Sequence, residues 1–163
     1  MSETPTPPDG APEPNQSGPA ALRVATQYLK DFSFENPQAP QSFQHLGQQG
    51  DMDVQISINP RHLGGNQYEV ELSIRVTARR EDAAIYVAEI LYAGVFELQN
   101  IPSDQVEPVL LIECPRALFP FARRIIADSV RDGGYQQLYL DPIDFVALYH
   151  QRTNQAAQPA GNA

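Results

Sequence analysis

The sequence predicts an α+β fold, with a four-stranded antiparallel sheet packed with C-terminal helices. Three observations carry that expectation. Between residues 22 and 78, apolar and polar residues alternate in separate runs, the period of half-buried strands, and a fourth, more apolar run follows to Leu98. From Pro102 onward the apolar spacing becomes helical, with proline and Ser/Asp start signals and a Gly133-Gly134 stop. Strands first and helices afterwards is the order of an α+β domain rather than of alternating parallel units.

The elements follow in order. Even positions of the first strand read Leu22, Val24, Thr26, Tyr28, Lys30, Phe32 and Phe34, against mostly polar odd ones. Asn36-Pro37-Gln38-Ala39-Pro40 ends it, because proline gives the ladder no donor. In the second strand Met52, Val54, Ile56 and Ile58 alternate with Asp51, Asp53, Gln55 and Ser57, so one face is wet. Asn59-Pro60 and Gly64-Gly65-Asn66 are expected to form the turn. Tyr68, Val70, Leu72, Ile74, Val76 and Ala78 then make the cleanest strand of the chain, ended by Arg79-Arg80-Glu81-Asp82.

The fourth strand, Ala84–Leu98, is apolar on both faces. Tyr86, Ala88, Ile90, Tyr92, Phe96 and Leu98 line one; Ile85, Val87, Leu91, Ala93 and Val95 line the other, where Glu89 and Glu97 intrude. One sheet under a few helices buries one face, so the second needs another cover, either a subunit or a bound chain. Val87 and Leu91 are therefore candidates for an oligomer interface. A short helix is expected from Ser103, as N-cap, to about Glu113. A longer one should begin at Pro120, with Phe121, Ile125, Ile126, Ser129 and Val130 on its inner face. Asp141-Pro142 should cap a last helix that turns Phe145, Leu148 and Tyr149 inward.

The organisation is one domain between two tails. Residues 1–20 hold six of the 15 prolines, three acids and no Lys or Arg, and such a stretch is expected to remain disordered. Residues 152–163 have the same character, leaving 21–151 as the folded unit. The net charge is −9, and the core alone carries −7. Nucleic acid and anionic membranes attract clustered Lys and Arg, so neither is an expected partner. A locally basic protein is the natural complement. A single cysteine, Cys114, excludes an internal disulfide. The first residues lack the basic and apolar regions of a signal peptide, and no apolar run reaches the ~18 residues of a membrane span. A soluble cytoplasmic protein is expected.

No active site is evident. His45, His62 and His150 have no neighbouring ligand at metal-binding spacing, so no metal or cofactor is expected. Cys114 reads as a small buried hydrophobe. Asp51/Asp53 and Glu69/Glu71 stand two apart on wet strand faces and read as solvated charge. Instead, aromatics cluster: Phe32 and Phe34, then Tyr86, Tyr92 and Phe96, then Phe119 and Phe121.

Four segments resemble the SecB family. They are Tyr28-Leu29-Lys30-Asp31-Phe32-Ser33-Phe34-Glu35-Asn36-Pro37, Tyr92-Ala93-Gly94-Val95-Phe96, the run Cys114-Pro115-Arg116-Ala117-Leu118-Phe119-Pro120-Phe121-Ala122-Arg123, and Leu138-Tyr139-Leu140-Asp141-Pro142-Ile143-Asp144-Phe145 with Leu148-Tyr149. They occur in family order across nearly all of the core. Gln136 departs from the pattern where a proline is frequent, and the leader is longer than in short members. The resemblance implies Greek-key connectivity and a homotetramer built as a dimer of dimers, with helices between two large sheets. It implies an export chaperone of the bacterial cytoplasm that binds unfolded precursor polypeptides and docks on the SecA motor ATPase. It carries the SecA contact onto Asp31, Glu35 and Glu89. Together with the aromatic clustering, it puts a client groove at Phe32, Phe34, Tyr92, Phe96, Phe119 and Phe121. The alternative is a small-ligand-binding or enzymatic α+β domain whose aromatics line a closed pocket.

Overall fold

A computed structural model describes residues 18–48 and 50–158. Of the expected leader, residues 1–17 lie outside the described part; the first strand is β1 (Ala21–Glu35). A short 3-10 turn, Gln41–His45, leads to β2 (Asp51–Gly64), β3 (Gln67–Arg80) and β4 (Ala83–Gln99). The strands form one antiparallel sheet in the order β1-β4-β3-β2. The β1–β2 connection thus carries the chain from one sheet edge to the other.

β2 and β3 run longer than expected. Asn59-Pro60 lies inside β2, opposite Glu71 and Val70, and only Gly65-Asn66 turns the hairpin. Proline is tolerated there because β2 is an edge strand. β1 corrects the simple alternation more deeply. Its register steps by one residue between Val24 and Thr26 and again between Leu29 and Asp31. Between those bulges the faces invert: Tyr28 opposes Ala93 and Leu29 opposes Tyr92. The polar Lys30 in an otherwise apolar series marks the second step.

Val70, Leu72, Ile74 and Val76 of β3 are fully buried, as are Ala88, Ile90 and Phe96 of β4. They pack under a single helical run. α1 (Ser103–Pro108) passes through a π-wound turn, Val109–Glu113, into α2 (Cys114–Asp132). The expected break before Pro120 is absent; Pro115 occupies the first turn of α2, and Pro120 sits inside it on the exposed side. Nor does Ser103 cap α1, whose N-cap is Pro102 with no side-chain bond. The buried stripe of α2 is Cys114, Leu118, Ala122, Ile126 and Val130, a strict four-residue spacing. Phe121 falls off that stripe and is 45% exposed. α3 (Phe145–Ala157) is capped by Asp144, whose carboxylate accepts from Ala147 N at 3.0 Å, not by Asp141. It runs past the expected boundary at 151.

Candidate binding surfaces

The sheet has a helix-covered face and an open face. Directly opposed residues of an antiparallel pair share a face. Asp31 opposes Leu91, Ser33 opposes Glu89 and Glu35 opposes Val87. All five of the candidates Asp31, Glu35, Glu89, Val87 and Leu91 therefore meet on the open face, the three acids surrounding the two apolar side chains. Asp31 and Glu35 are exposed and stand roughly 13 Å apart along the strand. Glu89 accepts from Arg75 Nη1 at 2.9 Å, its register partner on β3, and keeps 45% of its side chain in water. An acid set into an apolar strand face thus finds both a cation and solvent.

Beside this patch lies a network that alternation alone did not reveal. Glu69, expected to be solvated, is buried and accepts from Tyr28 Oη, from Lys30 Nζ at 3.0 Å and from Arg61 Nη2 at 3.0 Å. Glu71 accepts from the same Lys30 and from Asn59. Bonds from Tyr28 and Lys30 hold the Glu69 carboxyl below its ordinary value, against the opposing push of burial. Burial first, then the bond to Glu69, raises the Tyr28 hydroxyl. The network ties β1, β3 and β2 across β4 and clamps the bulge at Lys30. Its one sequence signal was that misplaced lysine.

On the covered side the six aromatic candidates do not form one open groove. Phe96 is fully buried and Phe119 nearly so, its ring edge-on to Phe145. Both are core, because Phe96 lies under α2 and Phe119 on the buried side of that helix. Phe32 is half-buried against the same core. Phe34 is half-buried and stacks on Tyr86, which continues through Tyr135 to Phe43 in a chain of rings at 5.8, 4.9 and 5.2 Å. Phe121 lies flat over Tyr92 at 6.3 Å and reaches solvent.

A row of three hollows, together forming an apolar channel, runs instead along β2. A hollow of about 160 Å³ opens beside Tyr86 and Tyr135 and includes Met52. The next, about 340 Å³, lies between Met52 and Val54 and the segment Leu138–Ile143. The third, about 210 Å³, lies between Ile56 and Ile58 and the side chains of Leu111, Leu148 and Tyr149. Met52, Val54 and Tyr139 are exposed within it. Read as a lone strand, β2 looked half-buried; at Met52 and Val54 it faces the non-helical segment Leu138–Ile143, and both side chains stay exposed.

Cys114 is buried, and burial with the nearby Glu113 pushes its thiol up to about 12. Among the described residues no group of three His, Cys, Asp or Glu side chains is placed to hold a metal ion. No helix among them is long and apolar enough to cross a membrane.

Residues 15–156 match the family model described as preprotein translocase subunit SecB. A protein-export protein SecB of Xanthobacter autotrophicus is 50% identical over 145 residues, covering 89% of this chain and 93% of the relative. Another, of Afipia carboxidovorans, is 47% identical over 142 residues, covering 87% and 88%. Among solved structures, a SecB-like chaperone of Mycobacterium tuberculosis in complex with a peptide from an antitoxin superimposes with a TM-score of 0.58. That match covers 76% of this chain and 91% of that one, at 14% identity, and shows a shared fold.

Proposed function

Because the chain belongs to the SecB family of protein-export chaperones, we propose that it holds secretory precursors unfolded in the bacterial cytoplasm and passes them to the SecA ATPase. The observation that carries this reading is the channel along β2. From Asp51 to Ile58 it is roughly 23 Å long at the rise of an extended chain. It is lined by aliphatic and aromatic side chains and open to solvent. Apolar contact there contributes about 25 cal/mol per Å² whatever the client's sequence. Binding only the unfolded state draws the folding equilibrium away from the native one. No bond is made or broken, so a chaperone of this kind needs no catalytic residue.

The acidic patch supports the motor-docking part of the proposal. Three acids around Val87 and Leu91 form an apolar centre with a charged rim, suited to a partner segment rich in Lys or Arg. The resemblance implies a tetramer with its helices between two sheets, which leaves the open face outside. Val87 and Leu91 cannot face a sister subunit and the motor at once. The favoured arrangement is assembly on the helix side, where Phe121 is exposed, with the acidic face outward. Several channels on one tetramer then raise client avidity through effective concentration.

The test is a refolding assay on an unfolded secretory precursor without nucleotide. The protein should slow refolding in proportion to its concentration, and polar substitution at Val54 or Tyr139 should remove the delay without changing the far-UV spectrum. Saturable small-ligand binding with no effect on refolding would instead support the closed-pocket alternative.

A further inference from the structure

β2 forms one edge of the sheet, and no strand among the described residues pairs with its outer side. The ladder phase decides which residues face outward. Leu98 N donates to the Asn66 carbonyl at 2.9 Å, continuing the β3–β4 register in which Gln67 opposes Glu97. Bonded and non-bonded pairs alternate along an antiparallel ladder. Even-numbered residues of β3 therefore turn their N–H and C=O toward β4, and odd-numbered ones toward β2. Met52, Val54, Ile56 and Ile58 oppose even-numbered residues, from Ala78 to Leu72. Their own backbone groups consequently point off the free edge, while their side chains line the channel. Pro60, next in this series, has no N–H and closes the strip.

One outward group already has a partner. Arg152 Nη1 donates to the Ile58 carbonyl at 3.1 Å. The same side chain lines the channel beside Ile56 and Ile58. It sits where the amide of another strand would donate. Arg152 is exposed, and a bond from an exposed side chain to a neutral carbonyl gains little over water.

We propose that the β2 edge from Met52 to Ile58 takes up an extended client segment as an antiparallel fifth strand, and that Arg152 guards this edge in the empty protein. The inference rests on the client-holding reading above and gives that site its chemistry. Main-chain hydrogen bonds on the edge are blind to sequence, while alternate client side chains enter the channel. Every ladder of the sheet is antiparallel, and a client strand added in that sense puts the residues opposite the four outward-facing ones on their face, so the side chains in the channel belong to the residues whose amides bond β2. Without a guard, such an edge pairs with any other exposed strand, including a second copy's.

The test uses the full chain and a short capped peptide that alternates Leu and Thr, followed by fluorescence anisotropy. Methylating the amides of the Leu residues removes the bonds to β2 and should weaken binding about tenfold or more; methylating the Thr amides should leave it within about twofold. Arg152→Met keeps the aliphatic stem and should bind the unmethylated peptide severalfold more tightly, with an unchanged far-UV spectrum. Equal losses for the two methylated peptides would overturn strand addition while leaving apolar holding in the channel intact. Unchanged or weaker binding by Arg152→Met would overturn the guard. No peptide binding together with no delay of precursor refolding would overturn the client-holding reading itself.

Discussion

Glu69 is the residue whose surroundings differ most from what its neighbours in the sequence suggest. It stands two positions from Glu71 on what looked like a wet strand face, yet it is buried under Tyr28, Lys30 and Arg61. A carboxyl held below its ordinary value adds stability above the unfolded-state value, near 4.5, and loses it as the pH falls through the folded one. Glu69→Gln should therefore be less stable than the parent at pH 7, and the gap should close as the pH drops below about 4. Urea unfolding across that range measures both. A pH-independent difference would mean that Glu69 acts through packing alone. Tyr28→Phe removes one hydrogen bond to a charged acceptor and should cost about 1.5–3 kcal/mol at neutral pH.

At the scale of elements, the close approach of α2 to β4 depends on Gly94. A Cβ there would lie 3.0 Å from Leu118 Cδ2, 3.0 Å from the Phe96 ring and 3.2 Å from the Thr26 carbonyl oxygen. Leu118 and Phe96 are fully buried and have no free space to move into. Gly94→Val should destabilise by about 1–3 kcal/mol, seen as a lower urea midpoint with an unchanged slope. β1 and the helices also show where periodicity misleads. Two bulges invert the middle of β1, and a bulge leaves no mark in hydropathy beyond a residue such as Lys30. Pro120 is a good helix starter, but it also fits a solvent-facing position where α2 can give up one hydrogen bond.

At the scale of the whole molecule, the open face brings the acids proposed for SecA docking and the candidate subunit contact together. Reversing Asp31, Glu35 and Glu89 to Lys should abolish SecA binding yet leave client holding and a species near four times 18.1 kDa. SecA affinity of the parent should fall steeply with salt, because exposed charges are screened within ~8 Å at physiological ionic strength. Val87→Asp and Leu91→Asp decide between the rival uses of the face. Loss of SecA affinity with the tetramer intact supports an outward acidic face; a shift toward dimers in sedimentation would return these residues to the subunit interface.

Alternation in β2 and β3, the doubly apolar β4, the helical C-terminal third and the family could all be read from residue order. Each depends on local periodicity or on short motifs, and neighbouring residues carry that information. What only tertiary structure decided depends on residues far apart in the chain. Phe96 and Phe119 proved to be core because α2 lies over one and buries the other, although their types suit a groove as well as Phe121 does. The channel exists because β2 is an edge strand whose Met52 and Val54 stay exposed beside Leu138–Ile143, and strand order is not a local property. Arg152 looked like part of a tail until α3 carried it to the Ile58 carbonyl, 94 residues away in sequence.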